Sequence, residues 1–89
     1  LPGNVHASMT GLIVHLKPGR WVTERMISHV SYDESAFLLK GELELHMDNK
    51  TYTIHEGDSF YIPQGMLHNY LNISSEEAVC IVYFSKLIY

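Results

Sequence analysis

Cysteine is almost missing from this chain. Cys80 stands alone among 89 residues, which excludes an internal disulfide and fits a reducing, cytoplasmic setting. Cations are scarce as well: six Lys and Arg face ten Asp and Glu, for a formal net charge of −4. Contacts to phosphate dominate nucleic-acid binding and need positive charge, so this segment is not expected to touch nucleic acid directly. No apolar run approaches the roughly 20 residues that span a bilayer, so no membrane association is expected. Nothing near Leu1 reads as a signal peptide. No stretch sustains a period of 3.6 over three turns, so no helix is expected. Ser-His-Asp spacing and a glycine-rich phosphate loop are absent too. A chain of 89 residues allows one domain, 1–89, with a modest core.

What is present is strand and turn. Gly11 to Leu16 reads as a strand, followed by a Pro18-Gly19 turn. Trp21 to Thr23 and Met26 to Val30 read as strand pieces around a polar bend. Ser35 to Lys40 is a strand ending at Gly41. Glu42 to Met47 alternates, with Leu43, Leu45 and Met47 on one face and Glu42, Glu44 and His46 on the other. Asp48-Asn49 makes a tight hairpin turn although the usual Gly is missing. Thr51 to Ile54 returns, with Tyr52 and Ile54 expected to point inward. Ala78 to Phe84 is a continuous apolar run, the mark of a central strand. Many short strands separated by turn signals indicate an all-β sandwich or barrel.

One segment is far more specific. From Gly57 to Asn72 the chain reads Gly, five residues, Pro63, one residue, Gly65, two residues, His68, three residues, Asn72. From average residue usage, a chance match at these fixed positions is on the order of 10⁻⁵. Gly57-Asp58 and Pro63-Gln64-Gly65 are turns, and the residues between and after them are strands. Alternation places His68, Tyr70 and Asn72 on one face.

This pattern resembles the second signature motif of the cupin superfamily. The resemblance implies a jelly-roll (double-stranded β-helix) cupin barrel. The family's first motif runs Gly, five residues, His-x-His, three or four residues, Glu, six residues, Gly. Gly41 and Glu34 stand at that spacing, and His29 falls on the second histidine. Ile27 occupies the first histidine position, and Gly19 lies two residues too early for the opening glycine. In a complete cupin the two motifs supply three histidines and a glutamate to a divalent metal. Carried over residue by residue, this leaves His29, Glu34 and His68.

Two readings stay open. His29, Glu34 and His68 make a two-histidine-one-carboxylate set for one divalent metal: Fe, Mn, Zn or Ni. Alternatively the site holds no metal, and the same side chains hydrogen-bond a small polar ligand in a pocket that Ile27 makes drier. In both, the pocket lies in the barrel mouth, lined by His29, Glu34, Phe60, Ile62, Met66, His68, Tyr70 and Trp21. His6, His15, His46 and His55 read as surface residues, and Cys80 as a buried inert thiol.

Residues 35–72 also resemble the cupin domain fused behind a helix-turn-helix domain in bacterial transcription regulators. Shared elements are the Gly41–Leu45 hairpin strand, the Gly57–Tyr61 turn and strand, and His68 with Asn72. This implies an effector-sensing domain with a small-molecule partner, or a stand-alone relative. The alternative is a metal-dependent dioxygenase or isomerase. The resemblance further implies a homodimer. Residues 1–10 are then an irregular leader or a strand exchanged with the partner, and Lys86 to Tyr89 cover an exposed edge across it.

Overall fold

The computed structural model describes residues 6–23, 25, 26, 28 and 32–88. Seven strands follow one another: β1 (His6–Leu16), β2 (Asp33–Lys40), β3 (Glu42–Met47), β4 (Lys50–His55), β5 (Ser59–Ile62), β6 (His68–Asn72) and β7 (Ala78–Ile88). They form two antiparallel sheets, sheet A in the order β1-β7-β2-β5 and sheet B in the order β4-β3-β6. This is the expected all-β jelly roll. Among the described residues the two sheets stay separate hydrogen-bonded ladders and do not close edge to edge. No helix occurs among the described residues, and so none is long and apolar enough to cross a membrane.

Local chemistry explains the elements. β7 is central, as its apolar run suggested, with β1 hydrogen-bonded on one side and β2 on the other. Ala78, Cys80 and Val82 point into the core and alternate with outward Val79, Ile81 and Tyr83. Asp48 and Asn49 both take φ of 56°, so the β3–β4 turn has the left-handed pair that a two-residue hairpin needs. Gly41 separates β2 from β3 at φ 98°, where a Cβ would sit 2.9 Å from that of Ala78, so only glycine fits. Leu38, Leu43, Leu45, Ile62 and Val82 fill the space between the sheets.

Three expectations are corrected. His6–Thr10, read as an irregular leader or an exchanged strand, is the first half of β1. It pairs with β7 of the same chain, in a register that runs from His6 opposite Ile88 to Leu16 opposite Ala78. β7 has β1 as its neighbour as far as Ile88. Tyr52 stays 39% exposed while Ile54 is buried, because β4 is an edge strand. Trp21–Thr23 contributes a single bridge, Trp21 to Leu71, rather than a strand. The Met26–Val30 piece falls largely outside the described residues, as do Leu1–Val5, Ile27 and His29.

The segment 19–23 nevertheless closes the free edge of β6. Gly19 and Val22 donate backbone N–H groups to the carbonyls of Asn72 and Tyr70, at 3.0 and 2.9 Å, and Asn72 donates back to Arg20 at 3.0 Å. The Asn69 amide extends this strap, accepting from Thr23 N–H at 3.2 Å and donating to its carbonyl at 2.9 Å.

Candidate functional site

Alternation along β2 turns Glu34, Ala36 and Leu38 toward the interior, which puts a carboxylate on an otherwise apolar face. Register places Glu34 between Ile62 of β5 and Phe84 of β7. From the facing sheet β6 contributes His68, opposite Met47 of β3, and Tyr70, opposite Leu45. The β5–β6 turn sets where β6 begins. Gly65 takes φ 82° there, and Met66 donates its N–H to the Pro63 carbonyl at 3.2 Å. His68 Nε2 lies 3.4 Å from Glu34 Oε1, and both side chains are almost wholly buried.

Hydrogen bonding fixes the state of the imidazole. His68 Nδ1 is 2.9 Å from the Met66 carbonyl, an obligate acceptor, so Nδ1 carries a proton. Nε2 faces a carboxylate oxygen, which is also an acceptor. Acceptors at both nitrogens favour the protonated imidazole. Burial alone pulls the His68 pKa down. The Glu34 hydrogen bond, the Met66 carbonyl and the Glu34 charge outweigh burial, and the net shift is upward.

The neighbouring groups stay neutral. Burial first, and then the Glu34 charge, push the Tyr70 phenol far above its ordinary value. The same two causes push the Cys80 thiol up to about 11. The Tyr70 ring meets Phe60 edge-on, with centroids 5.5 Å apart. Among the described residues, Glu34 and His68 therefore lie in apolar and neutral surroundings. A cavity of about 370 Å³ is lined by Met26, Asp48, Asn49, Gly65, Met66 and Leu67, and neither Glu34 nor His68 lines it. Met66 is common to both, lining the cavity and holding His68 through its carbonyl.

Glu34, Phe60, Ile62, Met66, His68 and Tyr70 thus lie together between the sheets. His29 lies outside the described residues. Trp21 sits elsewhere: its ring meets His46 at 5.0 Å on the outer face of sheet B, 43% exposed, because the strap that carries it runs along β6 rather than across the mouth. His15 and His55 are on the surface as expected, and His46 is half-buried on that outer face with Nε2 2.7 Å from Glu44.

Asn72 closes the motif and is buried, yet its groups are consumed by structure. Its amide donates to the Leu16 and Glu76 carbonyls, each at 2.8 Å, and its oxygen accepts the Ser74 N–H at 2.8 Å and the Ser74 hydroxyl. Sequence reasoning did not single out Met47 or Phe84 for the site. Hairpin register would have found Met47, two positions along β3 from Leu45.

A metal needs three or more protein donors in most nitrogen–oxygen sites. Among the described residues no group of three or more His, Cys, Asp or Glu side chains could hold an ion. Glu34 and His68 supply one carboxylate and one imidazole, which by themselves fall short of a metal site. Their arrangement can donate a proton from Nε2 and accept one at the carboxylate.

Residues 12–84 match the cupin domain family. A polyketide synthase CurC of Streptomyces cyaneus is 28% identical over 72 residues, covering 81% of this chain and 46% of that protein. The chain thus spans about half the length of the curated relatives it matches. Among solved structures, a protein of Acidithiobacillus ferrooxidans provisionally named a sugar phosphate isomerase is 28% identical. Its TM-score is 0.77, with 91% of this chain and 55% of that chain covered. The cupin domain of Schizosaccharomyces pombe Cnp3 superposes at TM-score 0.83 and 18% identity, covering 89% of this chain and 56% of the other, which shows the shared fold.

Proposed function

Because this chain belongs to the cupin domain family, we propose that it binds a small polar molecule at the mouth between the sheets, anchored by Glu34 and His68. The observation that carries this reading is the buried pair itself, its two groups 3.4 Å apart in a largely apolar interior. A buried ion pair pays a desolvation cost that an apolar replacement avoids. A small core that keeps one is better explained by use than by stability. A ligand acceptor would compete with Glu34 for the Nε2 proton and a ligand hydroxyl or amine would donate to the carboxylate, so the complementary ligand carries both kinds of group. The role that fits the resemblance of residues 35–72 is effector sensing in a bacterial transcription regulator.

A thermal-shift screen of sugars, amino acids, polyamines and phenols tests the anchor. A stabilising compound should lose its effect in Glu34→Gln and His68→Gln, and retained effect in both rejects the assignment. The regulator role requires a helix-turn-helix domain encoded upstream in the same reading frame.

A second reading, a metal-dependent isomerase or dioxygenase, is favoured by the relative named for sugar phosphate isomerisation. It needs a third ligand, for which His29 is the candidate. Stoichiometric Fe, Mn, Zn or Ni in purified protein, lost in His68→Ala, would support it. Metal content unchanged by that substitution would disprove the ligand assignment.

A further inference from the structure

Strands β4 and β5 follow one another along the chain yet belong to different sheets. The turn between them is tied to sheet A at once. Gly57 donates its N–H to the Leu38 carbonyl at 2.8 Å, and the Asp58 carbonyl accepts the Leu38 N–H at 2.9 Å. β4 stays with sheet B, in a register that runs from His55 opposite Glu42 to Lys50 opposite Met47. No ladder joins the two strands, and among the described residues no strand lies beyond either. Between them opens a cleft of about 300 Å³. Leu45 and Met47 of β3, Tyr52 and Ile54 of β4, and Phe60 and Tyr61 of β5 line it. Register sets Ile54 opposite Leu43 and Tyr52 opposite Leu45, so both point between the sheets. Leu45, Ile54 and Phe60 are buried, whereas Tyr52 and Tyr61 are 39% and 52% exposed. Close-packed interiors seldom leave such a gap, and an apolar recess open to solvent is the usual form of a ligand groove.

We infer that this cleft binds a small, neutral aromatic molecule with one hydrogen-bonding group, of the size of a phenol or an indole. Charge decides first. No lining residue is a carboxylate, an amine, a guanidinium or an imidazole. A hydrogen bond to Asp33 pushes the Tyr61 phenol above its ordinary value, so that group stays neutral. A charged guest would give up hydration here and meet no counter-charge. Size comes next. A cavity of about 150 Å³ walled by Leu, Ile and Phe takes a benzene, so about twice that volume, open on one side, suits one ring or two fused rings and not a polymer. The walls then choose the chemistry. Tyr70 braces the Phe60 ring edge-on from behind, with centroids 5.5 Å apart, and Met47 adds a thioether. Rings and thioether sulfur both attract an aromatic guest beyond simple area burial. Ser59 also lines the cleft, and its hydroxyl can give or take the guest's one hydrogen bond. This inference stands apart from the ligand reading above, since neither Glu34 nor His68 lines the cleft.

Isothermal titration calorimetry with indole should show saturable one-to-one binding with a Kd below about 1 mM, and a failure to saturate overturns the inference. Indole carboxylate, which is charged, and cyclohexanol, which is not aromatic, should each bind at least fivefold more weakly. Either one matching indole overturns the assigned class. Tyr52→Glu and Ser59→Trp should each weaken indole binding at least tenfold, whereas Thr53→Glu, on the outer face of β4, should leave it within twofold. Indole affinity unchanged in both cleft variants puts the site elsewhere and also overturns the inference. Should those variants not fold, judged by circular dichroism, hydroxyl-radical footprinting of the unaltered protein decides. Saturating indole should lower the oxidation of Tyr52 and Tyr61 at least threefold while that of Trp21 stays constant. Equal oxidation with and without indole rejects the cleft.

Discussion

The two acceptors that flank His68 favour its protonated form, and this has consequences for stability. Its folded pKa lies above the unfolded value of about 6.5. The stabilisation from its pairing with Glu34 is therefore complete below about pH 6.5 and is lost as pH rises through the folded pKa. Melting temperature followed by circular dichroism from about pH 5.5 to 8.5 should decline, and Glu34→Gln should flatten that slope. His68→Ala strands the Glu34 charge and should cost about 3–5 kcal/mol in denaturant titrations. Cys80 behaves oppositely to a reactive thiol. Burial and the Glu34 charge hold it up at about 11, so alkylation by iodoacetamide at pH 8 should proceed only as fast as the chain opens. His68 and Glu34 were legible in the sequence because motif spacing marks them and alternation turns them inward. The role of Asn72 was not. Alternation gave its direction correctly, but one partner, the Leu16 carbonyl, lies 56 residues away, beyond any local pattern.

At the level of elements, the connections carry much of the specification. Asn72→Ala removes the donors to Leu16 and Glu76 and the acceptor for Ser74, and should cost about 1–3 kcal/mol for each buried group left unpaired. Gly41→Ala meets both a left-handed backbone and the Ala78 side chain. A loss of at least about 1–3 kcal/mol is expected, read as a lower denaturation midpoint with an unchanged slope. Strand β3, the Asp48-Asn49 turn and strand β5 follow from alternation and turn chemistry alone. The full length of β1 did not, because residues 6–10 show no alternation and become strand only by lying along β7. Trp21 misled for a related reason. An aromatic residue beside a turn suits a pocket wall or a surface strap equally well, and only the hydrogen bonds of Gly19 and Val22 to β6 choose the strap.

For the molecule as a whole, the most remote residues make the longest ladder. β1 pairs with β7 from His6 opposite Ile88 onward, and β2 pairs with β7 as well. Such non-local pairing must close large loops before it is rewarded, so refolding is expected on the millisecond-to-second scale in stopped-flow fluorescence. The same ladder sets the two ends of the described chain side by side, which makes the order of the strands along the polypeptide interchangeable. Joining those ends with a short flexible linker and opening the chain at Pro18-Gly19 would place β1 directly after β7. The slowest contact to form would then become a simple hairpin. Such a circular permutant should reach the same two sheets faster than its parent, with the interior pair of Glu34 and His68 unaltered.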